Sequence, residues 1–440
     1  MQLFIAAYER EAGGTMSRIK PFLIIFVIML LSACVRTGEP ENTPEITEEA
    51  VEVSTIQKTE PEAMLAIYYE KEMETALYEP EEGCYLGAYI LSDKAVDFDI
   101  KKFESLTEAN HSLYSYYTKL SSPLPTEWIL SCIANMKTPN IFVYPDSIEN
   151  PYDYAKLESA AKKFGEFYVP MFVHLYPLTE DMPYDPENYR DFYQRAKDIF
   201  EEHASNVAFV WTVSEKNLPL INNYYPGDDS VDWVGISIKK SAHKDKGIDM
   251  NILPKIDYFY NTFQDRKPVM VSELAISHFS SENHAYYSKE AGDALKEVYN
   301  AVISDYPRIK AINYMSYNGL EPVNQTPGTD NFSITDNETM LQYYKEAAGN
   351  TGFIKAVDFS AGGDKFMGKV KAFQEGAYYQ GEAYLPENFI LEVFNADPKG
   401  EAEYKLFNDE KYFSLKDIAK AKSNFDYKNK KIDINNINKE

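Results

Sequence analysis

The sequence predicts an α/β fold: a (β/α)8 barrel of the TIM type with a small C-terminal α+β appendage. Three observations predict it. Eight short runs rich in aliphatic, β-branched and aromatic residues recur between Tyr85 and Met315. Segments with apolar residues at helical spacing separate them. The eight strand–helix units fill about 260 residues, the usual size of such a barrel. An open doubly wound sheet is the competing arrangement, but no Gly-rich phosphate turn follows the first strand.

At the N-terminus, the one long apolar run is Phe22 to Leu31, preceded by Arg18 and Lys20. It is too short to span a bilayer, and the order of charge, apolar run and small residues is that of a secretory signal. The run ends in Leu31-Ser32-Ala33-Cys34, which resembles the lipobox of bacterial lipoproteins. That resemblance implies a signal over residues 1–34, lipidation of Cys34, and extracytoplasmic display on the cell membrane through the lipid anchor alone. Stable anchoring needs the several acyl chains such a cysteine carries. Met16-Ser17-Arg18-Ile19-Lys20 begins a clean signal, so Met16 is read as the true start. Residues 35–82 read as an acidic linker. From Val35 to Glu62 there are eight Glu and two basic residues, with Pro at 40, 44 and 61 and no apolar period.

The barrel is expected over residues 83–347. Its strands read as Tyr85–Leu91, Ser112–Tyr117, Asn140–Tyr144, Val169–Leu175, Val207–Val213, Val231–Ile238, Pro268–Ser272 and Ile309–Met315. Several are near-continuous apolar runs, as expected for strands covered on both faces of a parallel sheet. Asp185-Pro186-Glu187 reads as an N-cap, a first-turn proline and a first-turn acid. Tyr189, Phe192, Tyr193, Ala196, Ile199 and Phe200 then mark one helix face. Residues 351–440 read as a small α+β domain, with strands at Tyr384–Phe394, Lys405–Phe413 and Lys431–Ile434 and a short helix at Leu415–Lys422. The last part of this domain, about forty residues that include Tyr412 to Ala419, resembles the stalk-like repeats of bacterial surface proteins related to the N-terminal domain of copper amine oxidases.

The chain carries 44 Lys+Arg against 69 Asp+Glu, a formal charge of −25. That argues against nucleic acid as a partner, because phosphate binding needs a basic surface. Three Cys in 440 residues exclude a disulfide scaffold. Six His without a His-Glu-x-x-His or helically paired set argue against a metal, and no Gly-x-Ser-x-Gly elbow is present. No cofactor is expected. What remains is carboxylate chemistry, and a carboxylate pair across a barrel mouth is how glycosidases work.

Barrel active sites lie at the C-terminal ends of strands. That singles out His174 and Tyr176 at the fourth strand, Trp211 at the fifth, Glu273 and then His278 at the seventh, and Tyr314 at the eighth. His111 precedes the second. Glu273 is the strongest candidate, since it leaves the buried run Pro268-Val269-Met270-Val271-Ser272; on position alone it is equally a structural carboxylate. The histidines and aromatics are candidates to hydrogen-bond or stack on sugar rings; each reads equally as a structural side chain.

The barrel resembles the family 26 glycoside hydrolases, the β-mannanase family among the retaining (β/α)8 glycosidases. The matching stretches are Tyr85-Leu86-Gly87-Ala88-Tyr89, Val169-Pro170-Met171-Phe172-Val173 and Asn206-Val207-Ala208-Phe209-Val210-Trp211. Tyr225-Pro226-Gly227-Asp228-Asp229-Ser230-Val231-Asp232-Trp233-Val234-Gly235 and Lys267 to Glu273 complete them. The resemblance implies a β-linked, mannan-type polysaccharide or cell-wall glycan as partner, and Glu273 as nucleophile. The departure lies in strand four, His174-Leu175-Tyr176-Pro177-Leu178-Thr179-Glu180. His174 takes the family's Arg position and Leu178 its acid/base position. Leucine donates no proton, and losing that help costs about 10²–10⁴-fold in rate. Glu180, two residues on, is the carboxylate that Pro177 would have to redirect; the plainer expectation is a loop carboxylate. A non-catalytic glycan-binding lipoprotein on a degenerate barrel is the alternative function, and a spacer role the third. A monomer is expected.

Overall fold

The computed structural model describes residues 63–180, 184–243, 247–322, 326–379, 382–394, 404–407, 410–414, 422–426 and 431–435. The signal, Met16, Cys34 and the linker up to residue 62 lie outside the described residues, as does most of the Tyr412–Ala419 stretch. Among the described residues, no helix is long and apolar enough to cross a membrane.

A first strand, β1 (Ala63–Glu74), precedes the barrel. The barrel strands are β2 (Cys84–Ser92), β3 (Leu113–Lys119), β4 (Thr138–Tyr144), β5 (Met171–Leu175), β6 (Val207–Ser214), β7 (Trp233–Lys240), β8 (Val269–Ile276) and β9 (Ile309–Tyr317). Each pairs in parallel with the next, and β9 closes on β2 through Ala311↔Tyr85 and Asn313↔Gly87. All eight strands expected from the sequence are present, so the chain contains a (β/α)8 barrel. The intervening helices are α1 (Ile100–Thr107), α2 (Thr126–Ala134), α3 (Tyr154–Gly165), α4 (Pro186–His203), α5 (Ile221–Tyr224), α6 (Leu253–Phe263), α7 (Ser288–Ser304) and α8 (Glu338–Ala348). Helix α4 starts as its sequence dictates: the Asp185 carboxylate accepts from Asn188 N at 3.0 Å and Pro186 opens the first turn.

The barrel lumen is filled in layers. Tyr85, Phe172, Ala208, Trp233, Met270 and Ala311 form its apolar base. Above them lies a polar layer of Ser115, Asn140, His174, Thr212 and Ser272. Lumen side chains press on the strands here and take the space that a Cβ would fill at two glycines: one at Gly87 would meet Asn313 Oδ1 at 1.7 Å, and one at Gly235 would meet Ser272 Oγ at 2.0 Å.

A second sheet lies at the N-terminal end of the barrel. Its strands are β1, β10 (Lys365–Tyr379), β11 (Glu382–Pro386), β12 (Tyr404–Phe407), β13 (Glu410–Ser414), β14 (Lys422–Asp426) and β15 (Lys431–Asn435), in the order β12-β13-β11-β10-β1-β15-β14. This corrects the sequence reading twice. Residues 63–74, assigned there to the linker, form a strand that pairs with β10 from Ala63↔Gly376 to Glu74↔Lys365. Leu65 and Ile67 are buried with period two, a signal masked by the flanking glutamates. Tyr384–Phe394, read as one strand, is a strand to Pro386 and then α9 (Glu387–Phe394).

Between β1 and β2 the chain plugs the barrel base. Trp233 Nε1 donates to Leu77 O at 2.8 Å and Tyr85 Oη to Tyr78 O at 3.0 Å. Arg308, at the entry to β9 and 1% exposed, donates to both carboxylate oxygens of Glu79 at 2.8 and 3.1 Å. It also donates to Gln264 O and Glu74 O. The second sheet is thereby fixed to the face opposite the strand C-termini.

Candidate active site

The C-terminal mouth is built from the last residues of β3, β4, β7, β8 and β9. On β8 the register against β7 slips between Val271 and Glu273. Ser272 stays in the lumen, where its hydroxyl meets Thr212 Oγ1 at 3.1 Å. Regular alternation would turn the next side chain outward; the bulge brings Glu273 inward as well. Its Oε1 accepts from Tyr117 Oη at the end of β3, and its Oε2 from Ser237 Oγ on β7 at 2.5 Å. Burial raises the Glu273 pKa, against the opposing pull of the two hydroxyl donors and of Lys239. The same enclosure raises the phenols of Tyr117, Tyr144 and Tyr317, with the Glu273 charge adding to it.

An aromatic column supports this carboxylate. His174 stacks on Phe142 at 3.9 Å and 5°, and Phe142 on Tyr117 at 4.7 Å and 18°. Asn140 gives its amide to Ser115 at 3.0 Å, so its Oδ1 accepts from His174 Nε2 at 2.7 Å. The opposite ring nitrogen, Nδ1, then accepts from Thr212 Oγ1 at 2.6 Å. Burial lowers the His174 pKa, which favours the neutral ring of this pattern. His174 therefore belongs to the lumen floor beneath the mouth.

The other predicted sugar contacts lie elsewhere. Trp211 is fully buried on the outer face of β6 against Tyr225 and Phe263, at 5.1 and 5.9 Å. Tyr314 faces outward from β9, packs on Tyr344 and donates to Ile276 O at 3.3 Å. Strand alternation explains both: the lumen neighbours of these residues are their i±1 residues. His111 sits at the N-terminal end of β3, with Nε2 at 2.7 Å from Tyr344 Oη. Tyr176 is buried under α4 and donates to Pro151 O at 2.7 Å. His278 is buried behind the mouth, 3.4 Å from Asp336.

The exit of β5 decides where the second carboxylate could stand. Tyr193 and Tyr189 on α4 donate to Leu175 O and Tyr176 O. Tyr176 takes a left-handed φ of 45°. The chain then runs beside β6: Leu178 N donates to Thr212 O at 2.8 Å, and Ser214 N to Leu178 O at 2.9 Å. Leu178 pairs in parallel with Val213, and both lie in the core between sheet and helices. Leu178 is thus turned away from the lumen. Glu180 is 43% exposed and bonded to Lys216 at 2.7 Å. Glu215, just past β6, is buried in an ion pair with Lys240 at 2.8 Å.

The residues missed by sequence reasoning are Tyr117, Tyr144, Ser237 and Lys239. Their signal was the i, i+2 alternation that carries the lumen face past Ser115 to Tyr117 and past Gly235 to Ser237 and Lys239. Among the described residues no cluster of His, Cys, Asp and Glu is suited to a metal ion.

No protein-family model matches the chain. A β-1,3-xylanase from a Vibrio species is 27% identical over 99 residues, and the chain spans about a fifth of its length (21% of each protein). Among solved structures, a Cellulomonas fimi endo-β-1,4-mannanase double mutant is similar at a TM-score of 0.46 and 10% identity, over 78% of this chain and 94% of that one. A family 26 β-mannanase from Bacteroides ovatus is similar at 0.44 and 9% identity, over 62% and 90%.

Proposed function

We propose that the barrel takes a β-linked polysaccharide of the mannan type into its C-terminal mouth, with Glu273 as the nucleophile of a retaining glycosidase mechanism whose usual carboxylic acid is missing. The observation that carries this reading is the environment of Glu273. It is a bulge-directed, desolvated carboxylate steadied by Tyr117 and Ser237, with no second carboxylate bonded to it among the described residues. A retaining pair needs two carboxyls roughly 5–5.5 Å apart. Leu178 offers none, and Glu180 is engaged by Lys216. The covalent half of the reaction on a good leaving group needs no acid, whereas cleavage of natural linkages is impaired.

The test is a mechanism-based label. A 2-fluoro-mannoside with a dinitrophenolate leaving group should add one glycosyl mass to the protein, mapped to Glu273, and Glu273→Gln should abolish it. A non-catalytic glycan-binding protein is the second reading, favoured by the outward turn of Leu178. It would show no label, yet β-mannan oligosaccharides would raise the thermal midpoint. Display on the membrane through a lipidated Cys34 belongs to the same proposal.

A further inference from the structure

We propose that Lys239 is the proton donor of this mouth, the general acid and then general base that works opposite Glu273. The inference rests on the reading of Glu273 as nucleophile. Lys239 stands on β7 two residues beyond Ser237, which is the register partner of Glu273 and holds its carboxylate. Residues i and i+2 of a strand share a face, so Lys239 rises on the Glu273 side about 6–7 Å nearer the opening. Its ammonium lies 4.9 Å from the Phe332 ring centroid and 5.8 Å from that of Tyr317. Glu273, Glu180 and Asp330 all act on it electrostatically. None of them forms an ion pair with it among the described residues. It therefore stands off Glu273 while remaining within its field, as the second member of a retaining pair must.

The same surroundings decide what the ammonium is for. Three carboxylates lie within electrostatic reach of Lys239 and the Tyr317 ring lies beside it, so a carboxylate or sulfate on the sugar would be repelled. A neutral glycosidic oxygen would not. Lys239 is exposed at the mouth; partial desolvation among its neighbours lowers its pKa, against the opposing effect of those three carboxylates. That moves the group toward the range in which it can give up a proton.

The step balances. As Glu273 Oε bonds to the anomeric carbon, the bond from that carbon to the glycosidic oxygen breaks and Lys239 Nζ passes its proton to that oxygen. A neutral alcohol leaves. The neutral amine then takes a proton from water, the water oxygen bonds to the anomeric carbon, and Glu273 departs as a carboxylate.

The experiment compares full-length wild type, Lys239→Arg and Lys239→Met on β-1,4-mannopentaose and on the dinitrophenyl 2-fluoro-mannoside. Arginine keeps the charge but surrenders no proton. Both variants should hydrolyse the pentaose about 10²-fold or more slowly, while Lys239→Arg should still label Glu273. Wild-type hydrolysis of the pentaose should show an alkaline limb that labelling lacks. A wild-type rate on pentaose in Lys239→Arg would overturn the proposal, because charge alone would then suffice. So would a wild type that labels but never cleaves pentaose, or loss of cleavage in Glu180→Gln alone. If wild type is not labelled at all, it is the reading of Glu273 as nucleophile that fails.

Discussion

Tyr117→Phe removes one of the two hydroxyls that donate to Glu273 and leaves the ring, whose stack on Phe142 at 4.7 Å needs no hydroxyl. A hydrogen bond to a charged group contributes about 1.5–3 kcal/mol. Burial already raises the Glu273 pKa, and the lost donor acts only on the ionised form, so the variant pKa rises further. On the proposed mechanism, attack on the anomeric carbon needs the ionised form. The acid limb of the labelling profile should therefore move to higher pH. At a fixed pH on that limb, the rate of Glu273 labelling should fall about ten- to a hundredfold, which is what 1.5–3 kcal/mol converts to. Above the limb it should stay within a few fold of wild type. The assay is the pH dependence of labelling followed by intact mass. An unmoved acid limb, or one displaced to lower pH, would refute the hydrogen bond as the support of the Glu273 charge.

Glu273→Gln should stabilise the fold by about 0.5–2 kcal/mol at neutral pH, the size of a typical stabilising substitution, because it removes a desolvated carboxylate that has no ion-pair partner among the described residues. The sign follows from linkage: the folded carboxyl binds its proton more tightly than the unfolded one, so wild-type stability falls as pH rises from the unfolded carboxylate range through the folded pKa. Urea titrations from pH 4 to 8 should show that slope in wild type and lose it in the variant. Glu79→Gln should cost about 3–5 kcal/mol in the same titration, because it strands the buried Arg308 guanidinium; a cost under about 1 kcal/mol would mean that the base clamp does not hold β1. Cys34→Ser should release the protein from membrane fractions, and unchanged retention would end the lipoprotein reading.

The barrel was legible because its signals are local and repeated. Near-continuous apolar runs such as Val207–Val213 allow only strands covered on both sides, and the Asp185-Pro186 start of α4 is written in three residues. The place of Glu273 at the mouth was legible for the same reason, as the first charged residue after such a run. The rest of the mouth was not, because strand ends were taken as sites without assigning their faces. Trp211 and Tyr314 end strands but point outward, while Tyr117, Ser237 and Lys239 occupy the inward phase. Strand alternation would have separated them. It would not have found the bulge at Glu273, nor the turn that removes Leu178 from the lumen. That turn is set by two α4 hydroxyls reaching the carbonyls of Leu175 and Tyr176, contacts between segments with no local pattern. Strand β1 was hidden by composition, its Leu65–Ile67 alternation lying among glutamates that read as linker.

The two ends of the barrel treat buried charge in opposite ways, and the contrast bears on where chemistry belongs. At the base, Arg308 and Glu79 meet in a two-point pair, and the remaining guanidinium donors find Gln264 O and Glu74 O. Nothing there is left to react, and the pair fastens β1 to the barrel. At the mouth, Glu273 has two hydroxyl donors and no ion-pair partner, and Lys239 has aromatic walls and no acceptor within ion-pair reach among the described residues. A structural carboxylate and a structural ammonium on adjacent strands would lower their energy by closing on each other. Here the alternation that fixes Ser237 on Glu273 lifts Lys239 past it, and the gap between the two charges is kept open. On the proposed reading, a sugar ring with its glycosidic oxygen is the kind of group that fits between Glu273 and Lys239 held apart in this way. If Lys239→Glu, which puts a carboxylate in place of the ammonium, cleaves mannopentaose at least as fast as wild type, then that gap is the acid's position. If it abolishes Glu273 labelling instead, through repulsion of two carboxylates, the two groups stand too close for a sugar to pass between them, and the mouth is a binding surface.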